Sequence, residues 1–214
     1  MLSTLLILAP LLLVPCCASF RLVNRVKQNL AAGNSSYGAF VGLFDPAVTE
    51  IFGASGLDYL FIDAEHTQMT PAVLLGHLRA AGASGIVPLV RVPGPTNVDT
   101  IKPWVDAGAL GIVVPNIYGV EDAQEAVNAL KYKTAKYPNG TRRVGIGRAT
   151  MYSEFIDDYL DEANEEVLVI LMAERIELIS SIDEVCWLPF QDRYCNSILS
   201  LVSCVIPCRG CGPH

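Results

Sequence analysis

Short apolar segments alternate along this chain with stretches of helical periodicity, and this rhythm restricts the fold more than any other feature. Residues 59–62, 86–90, 110–114 and 167–172 contain no charged side chain and are mostly Val, Ile and Leu. Segments this short and this apolar are typical of strands that are buried on both faces, as in a parallel sheet. With a further strand predicted over 39–44, the sequence predicts an α/β fold of five strand–helix units and no hairpin.

This organisation is typical of a TIM-type (β/α)8 barrel, in which catalytic groups lie at the carboxyl ends of the strands. Such a barrel needs about 250 residues, whereas this chain has 214. We therefore expect an incomplete barrel of five units over residues 21–192. Residues 1–20 and 193–214 are predicted to lie outside this domain.

Polar residues follow several of the predicted strands. Asp63 and His66 follow the second strand, Arg91 the third and Glu174 the fifth. Because the carboxyl ends of parallel strands meet at one edge of a sheet, these four side chains are expected to converge. His77, in the middle of a predicted helix, is expected instead to be a packing or surface residue.

Each of these residues has both a chemical and a structural interpretation. A carboxylate beside His66 would raise the basicity of the imidazole, as a general base requires, but a loop or capping histidine would look the same in sequence. Arg91 suits a substrate carboxylate or an ion pair with Asp63 or Glu65. Glu174 suits a Mg²⁺ or Mn²⁺ ion or the start of a helix.

Composition argues against two classes of partner. The formal net charge is −7, the isoelectric point is about 4.9, and no basic stretch is longer than Arg142 and Arg143. Nucleic acids and anionic membranes both require clustered cations. Neither is therefore expected to bind this chain.

The amino-terminal apolar segment, residues 5–14, is long enough for the core of a secretory signal and too short to span a membrane. No Lys or Arg precedes Arg21, although a signal peptide normally begins with positive charge. The segment is a signal peptide, an unprocessed extension or the product of a wrongly chosen start codon. The chain is secreted only in the first of these cases.

Cysteines are confined to the two ends of the chain, with two in the first twenty residues and five in the last thirty. A cysteine-free centre is typical of an intracellular enzyme rather than a disulfide scaffold. In the tail, Cys204, Cys208, Cys211 and His214 would allow a zinc cluster, although their spacing is not a standard one. The alternative is a tail that is foreign to the fold, such as the product of a misread splice junction or a frameshift.

The order and spacing of the motifs resemble the HpcH/HpaI aldolases, which are metal-dependent class II pyruvate aldolases related to the citrate lyase β subunit. The resemblance covers about residues 24–192, and its most specific elements are Asp63-x-Glu65-His66 and Arg91. The other matching elements are Asn24-x-x-Lys27-x-x-Leu30-x-x-Gly33, Glu50 with Gly56-x-Asp58, Val92-Pro93, Ile101-Lys102 with Asp106-Ala107-Gly108, Val114-Pro115, Tyr137-Pro138-x-Gly140-x-Arg142, and Glu174 with Ile182-Asp183-Glu184.

The resemblance implies a cytoplasmic (β/α)8 barrel that assembles as a homo-oligomer and uses a divalent metal, Mg²⁺ or Mn²⁺, with Co²⁺ as a third candidate. It implies reversible cleavage of a 2-keto-4-hydroxy acid to pyruvate and an aldehyde. His66 matches the family's base and Asp63 its carboxylate partner. Arg91 matches the residue that contacts pyruvate, and Glu174 matches a metal ligand.

Three departures from the family pattern bear on activity. Met172 stands where the family has Gln, and Arg143 stands where it has Gly. The Asp that supplies the family's second protein metal ligand falls at Ser200. Two functions therefore stay open for this chain, an active lyase or a non-catalytic remnant. The family's homo-oligomer is less expected for a partial barrel than for a complete one.

Overall fold

The computed structural model describes residues 21–94 and 98–186. These residues form one parallel sheet in which each strand pairs with the next one in sequence. The strands are Gly38–Val41 (β1), Tyr59–Asp63 (β2), Val87–Arg91 (β3), Gly111–Val114 (β4) and Leu168–Leu171 (β5). The predicted α/β fold with five parallel strands is therefore confirmed.

Helices occupy the connections between the strands, as the apolar spacing predicts. They are Arg25–Ala31 (α1), Ala47–Ala54 (α2), Pro71–Ser84 (α3), Val98–Asp106 (α4), Val120–Leu130 (α5), Ile156–Glu166 (α6), Ile176–Ser180 (α7) and Ile182–Cys186 (α8). The sequence predicts an acidic helix over residues 152–164, but helix α6 begins four residues later, at Ile156. Met151, Tyr152 and Ser153 all adopt positive φ, which is incompatible with a right-handed helix.

The sheet is apolar on both faces, which explains why its strands appear as unbroken apolar runs. One face packs with the helices that connect the strands and includes Leu60, Ile62 and Val90. The opposite face includes Phe61 and Leu89. Side chains alternate along a strand, so Asp63 and Arg91, the last residues of β2 and β3, also lie on this second face.

Helix α1 was not predicted from the sequence, and it is anchored by contacts with residues far along the chain. The Asn24 side chain accepts a hydrogen bond from the Lys27 N–H, which caps the helix. The buried Asn24 amide also donates to the carbonyl oxygens of Leu110 and Glu166, at 2.9 and 2.8 Å. Val26 then packs on the second face of the sheet.

The Arg of the Tyr-Pro-x-Gly-x-Arg element holds the long loop after α5. The Arg142 guanidinium is buried between the rings of Tyr132 and Tyr159, at 4.5 and 5.4 Å from their centroids. It donates hydrogen bonds to the Asp106 carboxylate at 3.1 Å and to the Tyr159 hydroxyl at 2.8 Å. This element therefore ties the loop to α4 and α6.

Several sequence-based predictions concern parts of the chain that lie outside the described residues. These are the apolar segment within residues 1–20, the tail over 193–214 with its candidate zinc ligands, and Ser200. In the part of the chain that is described, none of the helices combines the length and the apolar character needed to cross a membrane.

His77 is fully buried at the contact between α2 and α3. Its Nδ1 atom lies 2.7 Å from the hydroxyl oxygen of Thr49, which is also fully buried. Burial lowers the pKa of His77, and this effect outweighs the opposing influence of the Leu43 backbone and of Asp45. The native form of this side chain is therefore the neutral ring.

The depressed pKa of His77 predicts a loss of stability in mild acid. The unfolded chain binds the proton with the ordinary histidine pKa of 6.5, so the stabilisation is fully present above that pH. It then declines as the pH falls through the folded pKa, by at most about 1.4 kcal/mol per pH unit. Urea unfolding from about pH 7.5 to about pH 5.5 measures this slope.

We expect His77→Gln to flatten the slope, because it removes the titrating ring. Thr49→Val is the matched control, since it alters the same buried contact and keeps the ring, and it should retain the pH dependence. Equal slopes in His77→Gln and the unsubstituted protein would contradict this assignment.

Candidate active site

The candidate site lies at the carboxyl ends of β2, β3 and β5. Asp63 is the last residue of β2 and pairs in register with Arg91, the last residue of β3. Both belong to the second face of the sheet, two residues beyond Phe61 and Leu89. Glu174 follows the end of β5 by three residues.

Asp63 and Arg91 form a two-pronged ion pair. Arg91 donates from Nε to Asp63 Oδ1 at 2.8 Å and from Nη2 to Oδ2 at 2.7 Å. Asp63 is 1% exposed, and the backbone N–H groups of Glu65 and His66 also donate to Oδ1, at 3.0 and 3.3 Å. Burial by itself would raise the pKa of Asp63, but the hydrogen bonds from Arg91 and these amides hold that pKa below its ordinary value.

The Arg91 guanidinium is surrounded by negative charge and aromatic rings. Its carbon lies 5.9 and 5.7 Å from the ring centroids of Phe40 and Phe61, which stack on each other at 5.3 Å. Hydrogen bonding to Asp63 is the main reason that the pKa of Arg91 is raised, and the Glu65 and Glu174 carboxylates add to it. Arg91 is therefore a fixed cation, and its Nη1 atom is not used in the pair with Asp63.

His66 has a different carboxylate partner from the one that the resemblance implies. Asp63 contacts only the backbone N–H of His66, whereas the imidazole Nε2 lies 3.5 Å from Glu65 Oε2. The reason is that both Asp63 oxygens are already occupied by Arg91. The His66 side chain is 71% exposed. It therefore lies at the solvent-facing opening of the site, which is called the mouth below, and is accessible to small molecules.

Glu174, which follows β5, contacts Asn116, which follows β4. The Asn116 N–H donates to Glu174 Oε2 at 3.2 Å, and the Asn116 side-chain amide donates to Glu65 Oε1 at 3.3 Å. The structure therefore brings the predicted residues His66, Arg91 and Glu174 to one edge of the sheet. It does not bring the Asp63 carboxylate to the His66 ring.

Sequence reasoning missed two members of this arrangement. Glu65 was not among the predicted site residues, yet its carboxylate contacts Arg91 at 3.4 Å, His66 at 3.5 Å and Asn116. Asn116, which follows β4, was not among them either. The signal that would have found it is its place after β4, because this puts it between the ends of β2 and β5.

The carboxylates around Asn116 allow a test of whether a divalent metal fits. Mg²⁺ is usually held by one or two carboxylates, and waters and substrate oxygens complete its octahedral shell. Glu174 and Glu65 supply two carboxylates that both touch one asparagine. Within 21–94 and 98–186, no group of three or more His, Cys, Asp or Glu side chains is placed to enclose a metal. These side chains therefore fit an ion held largely by substrate and water.

Comparison with known proteins identifies the family. The model of the HpcH/HpaI aldolase/citrate lyase family matches residues 36–189. The chain belongs to this family. The resemblance recognised from the motifs is confirmed, and the five-stranded sheet is part of the family's TIM barrel.

Curated relatives in the family carry the names of several aldolases. A hydroxypyruvate/pyruvate aldolase of Deinococcus radiodurans is 34% identical over 167 residues, which are 77% of this chain and 58% of that protein. A 4-hydroxy-2-oxovalerate aldolase of Rhodococcus jostii is 32% identical over 164 residues, or 76% of this chain and 61% of that protein. The chain thus spans about three fifths of the length of these relatives.

Solved structures agree with the family assignment. A family member from Burkholderia cenocepacia superposes with a TM-score of 0.71 at 30% identity, over 77% of this chain and 65% of that one. The citrate synthase SbnG superposes with a TM-score of 0.64 at 33% identity, over 76% of this chain and 61% of that one. The chain is therefore similar to proteins that are named for different reactions.

Proposed function

We propose that this chain carries the site of a carbon–carbon lyase that reversibly cleaves 2-keto-4-hydroxy acids to pyruvate and an aldehyde. The observation that carries the proposal is the convergence of a fixed cation, an exposed histidine and two carboxylates at the strand ends. The names of the curated aldolase relatives support the same class of reaction. A small keto acid and an aldehyde, the substrates expected for the family, also suit an opening that exposes His66 to solvent.

In this proposal Arg91 orients the keto acid. Its pair with Asp63 uses Nε and Nη2, so Nη1 is available to donate a hydrogen bond to the substrate. Because Asp63 holds the planar guanidinium in one orientation, little side-chain freedom is lost when the substrate binds. The Phe40 and Phe61 rings close the other side of the cation.

His66 transfers the proton. In the cleavage direction its ring takes the proton of the C4 hydroxyl, the C3–C4 bond breaks, and the ring then returns a proton to C3 of the pyruvate enolate. Glu65, 3.5 Å from Nε2, stabilises the protonated imidazole that forms between these steps. Asp63 acts through Arg91 in this scheme rather than through His66.

Glu174, with Glu65 nearby, is the residue that would hold a divalent metal. When bound, Mg²⁺ or Mn²⁺ supplies Lewis-acid stabilisation of the negative charge that develops on the keto oxygen. Of the two carboxylates, Glu174 is the more exposed and its other oxygen, Oε1, is not part of the bond with Asn116.

Metal-dependent exchange of the pyruvate methyl protons with deuterated water tests the proposal. We expect Glu174→Gln to abolish Mn²⁺-dependent exchange, because it removes the anionic ligand. Glu177→Gln is the matched control, since Glu177 is an exposed glutamate on α7 only three residues away, and it should exchange like the unsubstituted chain.

A second candidate function is a non-catalytic family member. It is favoured by the lack of a three-ligand metal group among the described residues and by the buried Met172 in place of the family's Gln. A chain that folds but shows no metal-dependent exchange would support this second function and contradict the first.

A further inference from the structure

We propose that Asn116 is a positioning residue that holds the carboxylates of Glu65 and Glu174 at fixed places in the mouth. The role rests on the function proposed above. Among the described residues, Asn116 contacts neither Arg91 nor His66, but it bonds to the two acidic side chains that accompany them. It therefore links the elements that follow β2 and β5.

The backbone of Asn116 is set for this role. Its φ is +56°, a left-handed conformation that asparagine tolerates better than most residues with a side chain. In this conformation its N–H donates to Glu174 Oε2 at 3.2 Å. A charge-assisted bond from a fixed backbone group restricts the glutamate to few rotamers, although the side chain is exposed.

The side chain of Asn116 makes two bonds that together fix the direction of its amide. The oxygen accepts from Arg175 Nη2 at 3.2 Å, and the nitrogen donates to Glu65 Oε1 at 3.3 Å. The Arg175 guanidinium packs over the Tyr118 ring, and its carbon lies 4.1 Å from the ring centroid. Because arginine only donates and glutamate only accepts, a flipped amide would lose both bonds.

These contacts give the base and the proposed metal ligand a common support. The Glu65 carboxylate also lies 3.5 Å from Nε2 of the His66 ring and 3.4 Å from Nε of the Arg91 guanidinium. A shift of Glu65 would therefore disturb His66, and a shift of Glu174 would disturb the metal. Partners of this outer kind typically change metal affinity or activity by 10- to 100-fold when they are removed.

Two substitutions of Asn116 separate the contribution of its side chain from that of its backbone N–H. Asn116→Gly keeps the left-handed backbone and its N–H but removes the side chain. Asn116→Asp keeps the oxygen that accepts from Arg175. It replaces the amide nitrogen that donates to Glu65 with a second carboxylate oxygen, which cannot donate. Asn34→Gly is the matched control, since Asn34 is an exposed asparagine that precedes β1 and so lies at the other end of the sheet.

Three measurements on the full chain are compared: Mn²⁺ affinity by calorimetry, pyruvate proton exchange, and the NMR chemical shift of the amide proton of residue 116. We expect both substitutions to lower the exchange rate about tenfold or more. Mn²⁺ affinity should fall with Asn116→Gly but rise with Asn116→Asp, which adds a third carboxylate. Folding defects would not move the affinity in opposite directions.

Glu174→Gln should move the shift of this amide proton in the unsubstituted chain and equally in an Asn116→Gly background, because both keep the N–H that bonds to residue 174. Affinity and exchange equal to those of Asn34→Gly, or an affinity that moves the same way in both variants, would overturn the positioning role. A chain that neither binds Mn²⁺ nor exchanges protons would contradict the proposed function instead. In that case the amide-proton shift alone decides whether Asn116 holds Glu174.

Discussion

Replacing Asp63 with alanine is expected to lower the free energy of unfolding by about 3–5 kcal/mol at neutral pH. The substitution leaves the Arg91 guanidinium, with a side chain that is only 12% exposed, without the partner that takes two of its hydrogen bonds. It also leaves the N–H groups of Glu65 and His66 without their shared acceptor. Urea unfolding followed by circular dichroism measures the loss.

Two further variants show whether the unpaired charge is the cause. Asp58→Ala removes a carboxylate at the other end of β2 that accepts only one backbone hydrogen bond among the contacts described, from Tyr37, and it should cost about 1 kcal/mol. Asp63→Leu combined with Arg91→Met should regain much of the loss, since no buried charge remains. An Asp63→Ala loss no larger than that of Asp58→Ala would show that the pair does not stabilise the fold.

Acid should weaken the same pair. The folded pKa of Asp63 lies below the ordinary value of 3.8, so its contribution is present above that pH and is lost as the pH falls through the folded pKa. This window opens at a lower pH than the one for His77, which opens at the ordinary histidine pKa of 6.5. The onsets of the two effects can therefore be distinguished in one series of unfolding curves.

Replacing His66 with alanine is expected to lower pyruvate proton exchange by about 10²- to 10⁴-fold, the usual contribution of a positioned general acid–base group. Because the side chain is 71% exposed, the free energy of unfolding should change by about 0.5 kcal/mol or less. Exchange measured by NMR in deuterated water, together with urea unfolding, tests both parts.

Added imidazole gives a sharper test of the proton-transfer role. It should restore part of the exchange in His66→Ala, because the vacated place at the mouth is open to solvent. It should not restore exchange in Glu174→Gln, where the base is intact. If His66→Ala exchanges protons as fast as the unsubstituted chain, His66 is not the base.

The sheet was predictable because burial on both faces leaves a strong pattern in the sequence. Each run of Val, Ile and Leu corresponds to one strand, and the polar residue after it marks the carboxyl end. The convergence of Asp63 and Arg91 follows from parallel topology alone, since they occupy the same register position in β2 and β3.

The pairings within the site were not predictable in the same way. Sequence spacing allowed Asp63 to bond either Arg91 or His66, and the geometry at the end of β2 decides between them. Asp63 continues the strand, so its carboxylate faces the neighbouring strand end, while the chain turns away before His66. Helix α1 was missed for a related reason, because its seven residues are held by contacts to Leu110 and Glu166 rather than by a long apolar stripe.

The anchoring of Asn24 also orders the events of folding. Each strand pairs with the strand made just before it, so the sheet can grow unit by unit while the chain leaves the ribosome. The residues around Asn24 behave differently, because the bonds of Asn24 to Glu166 join positions 142 residues apart. Helix α1 cannot complete its contacts until β5 is nearly synthesised, and closing so long a loop carries an entropic cost that neighbouring strands avoid. The first helix of the domain to be made is therefore among the last to reach its native place.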